Sequence, residues 1–157
     1  MILASLRFRR ASVADLSLAQ QAIKDLHLST SDNSVENARP ALNDGALRTF
    51  LSDGDNYLLV ADDAGKAVGS LYGYRLLSPY RAEPQYLLYA IDVRPEYRGK
   101  GIGTALVKQF IEAAREGRAC EVWVVTGETN RAAMQMYARA GMVRRNQDDV
   151  MMEIGLR

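Results

Sequence analysis

The hydrophobic pattern divides the chain into segments of two kinds, one with a period near two and one near 3.6. SLRFRRAS (Ser5–Ser12) reads as a short strand. VADLSLAQQAIKDLHL follows, with Val13, Leu16, Ala19, Ile23 and Leu26 near helical spacing and Ser12 or Asp15 where an N-cap belongs. The polar stretch STSDNSVENARPALNDG, broken by Pro40, predicts a loop with room for a short helix, and ALRTFLSDG a second short helix ending near Gly54. YLLVAD and AVGSLYGYRLL flank the turn DAGK and predict a hairpin. QYLLYAIDV is a strong strand, and a helix runs from about Gly101 to Glu116. CEVWVVT predicts a buried strand holding Cys120 and Trp123, NRAAMQMYARAG a helix stopped by Gly141, and MVRRNQDDVMMEIGL a final strand pair. The order predicts an α/β (α+β) fold over residues 1–157, one mixed sheet with helices packed on it.

Composition narrows the chemistry. A net charge of +1 over 157 residues gives no field that calls for nucleic acid, so no nucleic-acid partner is expected. One cysteine excludes an intrachain disulfide, and a single histidine leaves no basis for a Cys/His metal cluster or a His-based nucleophilic site, so no metal is expected. His27 lies in a helical pattern with no motif around it and is read as structural or surface. No run approaches the ~20 apolar residues of a membrane span, and the N-terminus lacks a signal-peptide core. The expectation is a cytoplasmic protein with no membrane partner.

One junction asks for more than a turn. RGKGIG (Arg98–Gly103) places three glycines and two cations between a strand and a helix. A helix N-terminus exposes backbone N–H groups with no partner and carries partial positive charge, so it stabilises an anion. Glycine removes the side chains that would hold an oxyanion off those groups. The spacing does not fit a P-loop, because Lys100 does not precede Ser or Thr, and it does not fit a dinucleotide fingerprint, because it lies late and follows a hairpin. A plain turn, or a site for another phosphate-bearing cofactor, remains.

VRPEYRGKGIGTALV resembles the pyrophosphate-binding signature of the GNAT acetyltransferases, R/Q-x-x-G-x-G/A after a strand and before a helix. TGETNRAAMQMYARAGM resembles the later N-x-x-A…Y-x-x-x-G segment of that superfamily, and RFRRASVADL its first strand and helix entry. The likeness covers essentially the whole chain in order. It implies a mostly antiparallel sheet in which two parallel strands, YLLYAIDV and CEVWVVT, splay to form an acetyl-CoA cleft. It implies that backbone near Ile91 and Val93 pairs with the pantetheine amides. The N–H groups of Arg98, Gly99, Lys100, Gly101, Ile102, Gly103 and Thr104 would hold the pyrophosphate. Asn130 and Ala133 would flank the pantetheine arm, and Tyr137 would protonate the leaving thiolate. Met134 and Met136 are read as core.

Acetyl transfer to an amine needs a neutral nucleophile, and a free alkylamine with pKa near ~10.4 is mostly protonated at neutral pH. A base or a relayed water must therefore take a proton. The chain resembles most the aminoglycoside 3-N-acetyltransferase branch, in which an acidic residue commonly follows the strand tyrosine. Ala90 stands there instead. Strict alternation puts Leu88, Ala90 and Asp92 on one face and Tyr89, Ile91 and Val93 on the other, which makes Asp92 the nearest carboxylate; its alternative role is to cap the strand end or pair with Arg94. Candidate contacts to a cationic acceptor are Asp148, Asp149, Glu83 and Tyr86, with Tyr80 and the loop acids Asp32 and Glu36. The implied function is N-acetylation of a small-molecule amine, the 3-amino group of an aminoglycoside being the most specific acceptor. Rival readings are a protein or peptide N-acetyltransferase and a non-catalytic acyl-CoA sensor. Dimers are frequent in the superfamily, so a homodimer is carried over as an expectation.

Overall fold

The computed structural model describes residues 5–27, 42–146, 148 and 150–156. The expectations placed on Asp32, Glu36 and Asp149 lie outside the described residues.

Strand β1 (Leu6–Arg10) leads into a 3-10 turn, Val13–Asp15, that becomes helix α1 (Leu16–Gln21) and then a π-helical turn, Ala22–His27. Ser12 and Asp15 share the start as a capping box: the Ser12 hydroxyl accepts from the Ala14 N–H while the Asp15 carboxylate accepts from the Ser12 N–H. The inward face carries Leu18, Ala19, Ala22 and Leu26. Val13 is exposed, because the tight 3-10 start turns it out of helical phase. Helix α2 (Asp44–Ser52) is capped by the Asn43 side chain on the Ala46 N–H.

Strands β2 (Asn56–Asp63) and β3 (Lys66–Leu76) form the predicted hairpin, turning through Ala64 and Gly65, both at positive φ. Strand β4 (Gln85–Val93), helix α3 (Ile102–Glu116), strand β5 (Glu121–Val124) and helix α4 (Arg131–Arg139) complete the order. The sheet runs β1-β2-β3-β4-β5, antiparallel except for the parallel β4–β5 pair. Each face buries its own core. Leu106, Val107 and Phe110 of α3 pack on Leu59, Leu71, Tyr86 and Leu88, while α1 and α2 cover Leu58, Val60 and Ala67. Among the described residues no helix is long and apolar enough to cross a membrane.

Three expectations change. Among the described residues after Met142 no strand forms, and Val143, Val150, Met151, Met152, Ile154 and Leu156 are exposed. An alternating pattern selects a face, but a strand needs a ladder partner, and here none of the described residues pairs with it. Arg144 on Glu128 and Arg145 on Glu121, each at 2.9 Å, fix only the start of the segment. Cys120 is exposed and precedes β5, and Trp123 is partly exposed, because β5 is the edge strand of the sheet and only one of its faces is covered by helices.

At Gly73 sheet and helix approach closely. A Cβ built there would lie 2.6 Å from the Phe110 Cζ and against the Leu87 carbonyl. Gly73→Ala is therefore expected to cost about 1–3 kcal/mol by overpacking. A drop of several degrees in the thermal midpoint, read by circular dichroism and partly reversed by adding Phe110→Leu, checks this.

Candidate functional site

The β4–β5 ladder is short. It pairs Gln85 with Glu121 through Leu88 with Val124 and stops. β4 continues to Val93, so Tyr89–Val93 keeps β3 on one side and, among the described residues, has no strand on the other. At the same point β4 carries a bulge: Leu88 lies opposite Gly73 and Ala90 opposite Tyr72, leaving Tyr89 as the extra residue. A cleft of about 1080 Å³ occupies the split, between the far half of β4, the glycine turn and the start of α4.

The bulge overturns the predicted alternation. Leu88 is in the α3-side core with Ile91 and Val93, whereas Ala90 lies opposite Tyr72, which packs toward α1 and α2. The extra residue restarts the period, so Tyr89 and Ala90 share a face and Asp92 follows Ala90, not Leu88.

Arg98–Gly103 forms the turn into α3. Gly99 and Gly101 take φ of +74° and +82°, in the left-handed region, and Gly101 is the N-cap with no side-chain capping bond. Ala105 donates to the Gly101 carbonyl at 2.9 Å as the helix begins. Among the described residues nothing accepts from the N–H groups of Gly99 through Thr104. Arg98 differs, because its N–H is already given to the Pro95 carbonyl at 3.2 Å, so it contributes a guanidinium and not a backbone donor. Gly99, Gly101, Ile102, Gly103 and Thr104 line the cleft. Lys100 does not: its ammonium sits on the Glu96 carbonyl at 2.9 Å and over the Tyr97 ring. The result is a row of open amide donors at the positive end of a 15-residue helix. That donor set fits a diphosphate.

Helix α4 forms the opposite wall. Asn130 caps it, its Oδ1 accepting from the Ala133 N–H at 3.1 Å, so the N-x-x-A spacing is first a helix-start device. Asn130, Ala133, Met136 and Tyr137 line the cleft. Tyr137 is buried, and burial pushes its phenol above the ordinary tyrosine range. Like any phenol it holds its proton at neutral pH, the state a proton donor needs.

Ile91, Asp92 and Val93 also line the cleft. Asp92 pairs with Arg98 at 3.3 Å and accepts from the Val93 N–H at 2.7 Å; Arg94 pairs instead with Asp25 of the π turn at 3.0 Å. The Val93 carbonyl accepts from the Arg98 Nε at 2.8 Å, so both backbone polar groups of Val93 have partners within the chain.

The expected acceptor contacts do not gather here. Tyr86 lies in the core, its hydroxyl 3.0 Å from that of Tyr57, and burial plus that bond push its phenol up to about 12. It faces α3 and cannot meet an acceptor. Glu83 precedes β4, a strand length from the glycine turn at roughly 3.3 Å per residue, and neither it nor Asp148 lines the cleft. The pattern did not identify Tyr72, Tyr89, Ile23 and Arg139, which do line it. Met136, expected as core, packs against the core and lines the cleft as well. A tyrosine in a strand carries no local mark of the face it will take; only the bulge decides it.

The comparisons with known proteins agree with this geometry. The model of the acetyltransferase (GNAT) family matches residues 21–142. N-acetyltransferase 8 of Rattus norvegicus is 30% identical over 94 residues, 60% of this chain and 42% of that protein. Streptothricin acetyltransferase of Streptomyces lavendulae is 33% identical over 89 residues, 57% of this chain and 46% of that protein. The chain thus spans under half the length of these curated relatives. Among solved structures, an aminoglycoside acetyltransferase from an uncultured soil metagenomic sample, in complex with trehalose, superposes with a TM-score of 0.87 at 24% identity over 100% of both chains. The same enzyme in complex with sisomicin gives 0.87 at 23%. At that identity the likeness is one of fold.

Moving a non-glycine residue into the left-handed region costs on the order of 1–2 kcal/mol. Gly101→Ala is therefore expected to weaken coenzyme A binding about tenfold, by re-aiming the open N–H groups. Isothermal calorimetry checks it, and an unchanged Kd would remove the glycine turn from the anchoring role.

Proposed function

Because the chain belongs to the GNAT family of acetyltransferases, we propose that it is an N-acetyltransferase that moves an acetyl group from acetyl-CoA to a primary amine of a small molecule. The observation that carries this reading is the row of open N–H groups from Gly99 to Thr104, facing a cleft where two parallel strands part. Acetyl-CoA, when bound, supplies the activated acyl group. The chain's own part is to hold and orient. The α3 N-terminus and Arg98 attract the diphosphate. The free edge of β4 beyond Leu88 offers backbone groups to an extended amide-bearing arm, as a missing strand would. Tyr137, a buried phenol that is protonated at neutral pH, is the group to protonate the departing sulfur.

For the acceptor, the 3-amino group of an aminoglycoside is the most specific proposal. It draws on the resemblance of the strand-tyrosine and α4 segments and on the named neighbours, one of which was solved with sisomicin. If that amine is the acceptor, acetylation removes a cation and weakens the drug's attraction to RNA phosphates. A second reading, a non-catalytic acyl-CoA sensor, is favoured by one observation: Ala90 lines the cleft where that branch carries an acid, and Asp92 is engaged by Arg98. Thiol release from acetyl-CoA across aminoglycosides, polyamines, amino acids and peptides decides among these. A sensor binds acetyl-CoA and releases thiol with none of them.

Two outcomes follow from the acid–base geometry. Tyr137→Phe is expected to lower kcat by roughly 10²-fold or more while the Kd for coenzyme A stays within about twofold, because general-acid help is lost without disturbing the anchor. With no carboxylate at Ala90, deprotonation falls to water and to the amine's own equilibrium. The rate constant kcat/KM is then expected to rise about tenfold per pH unit up to the acceptor's pKa, and Ala90→Glu to shift that limb to lower pH. Steady-state pH profiles with one fixed amine check both.

A further inference from the structure

The wall of the cleft opposite Tyr137 is aromatic, and nothing in the anchoring of a diphosphate uses it. Tyr72 and Tyr89 stack with centroids 5.3 Å apart and planes 28° from parallel. Tyr74 meets Tyr89 edge-on at 5.8 Å, and Phe50 of α2 meets both Tyr72 and Tyr74 edge-on at 6.1 and 5.8 Å. The stack is thus braced from behind by a helix and a neighbouring strand. Tyr89 is 60% exposed all the same, and among the described residues no hydrogen bond engages its hydroxyl. A ring held by its neighbours yet more than half exposed is a platform.

Its position gives that platform a use. Tyr89 is the extra residue of the β4 bulge, beside Ala90 and on the same face, at the point where β4 leaves β5. Tyr72, Tyr89, Ala90 and Ile23 line the cleft together. The arm of a bound donor reaches this point from the glycine turn, so an acceptor must approach along the aromatic wall. Tyrosine faces favour flat partners, the C–H face of a saturated ring or an aromatic ring, and attract a cation held over them.

We propose that the Tyr72–Tyr89 stack is the acceptor platform of this enzyme and selects amines borne on a ring, whose face lies on Tyr89 while the amine at its edge points to the split. This rests on the acetyltransferase reading above. The ring can be an aminosugar or an aryl group, which share the stacking chemistry, and the test separates them. Open-chain amines lack the face and keep only the cation attraction that every ammonium has.

The test compares wild type, Tyr89→Ala and Tyr89→Phe with sisomicin, tyramine and spermidine as acceptors. Tyr89→Ala should raise KM about tenfold for the preferred ring amine, with kcat within twofold, the KM for spermidine raised less than about threefold and the Kd for coenzyme A unchanged; Tyr89→Phe should restore the wild-type value. Whether sisomicin or tyramine shows the larger effect identifies the ring. Equal losses for spermidine and the ring amines, or no change for any, would overturn the platform. Calorimetric titration of the same amines into protein saturated with coenzyme A makes the same comparison without turnover. A wild type that acetylates nothing but binds a ring amine through Tyr89 would sink the transferase reading and keep the platform, and one in which Tyr89→Ala binds every amine as wild type does would sink the platform.

Discussion

Backbone groups must be paired when they leave water, and β4 loses its parallel partner after Leu88. The cleft is arranged around that loss. The half-strand Tyr89–Val93 keeps its antiparallel neighbour, so it stays extended, while among the described residues no strand pairs with its other edge. A cleft built this way needs no mobile lid to exist. Its floor is a strand, its anchoring end is the start of a 15-residue helix, and its far wall is a capped helix.

The bulge and the split occur at one residue, and close packing links them. Gly73 lets the Phe110 ring and the Leu87 carbonyl occupy the space next to β3. The extra residue on β4 then changes which face each later side chain takes. Ile91 and Val93 then pack against the α3-side core while still lining the cleft, and Tyr89, Ala90 and Asp92 take the other face of β4. Charge is placed with the same economy. Arg98 ties Asp92 and the Val93 carbonyl together at the anchoring end, and Arg94 ties the end of β4 to Asp25 of the π turn. These partly exposed pairs contribute positioning more than stability.

The acceptor side is less like a cation trap than charge counting along the chain suggested. Among the described residues, Asp92 is the acid that lines the cleft, and it already has a cationic partner. What the wall offers instead is ring faces. On the acceptor reading proposed above, shape and stacking carry selectivity, and the long-range field of the protein, with a net charge of only +1, contributes little.

Features of short range were legible in the sequence. The glycine turn, the helix start at Ser12 or Asp15, the β2–β3 hairpin and the Asn130-to-Gly141 helix each depend on residues within a few positions of one another. Backbone sterics and local hydrogen bonds act over that distance, so spacing alone identifies them. The face of a residue beyond Leu88, the partner of Asp92, the burial of Tyr86 and the joining of Tyr72 with Tyr89 were decided by tertiary structure. Each depends on the register between strands, and a single inserted residue reverses that register without leaving a mark in the local pattern. The tail shows the converse: its alternating residues mark a strand, yet a strand exists only where a second ladder meets it.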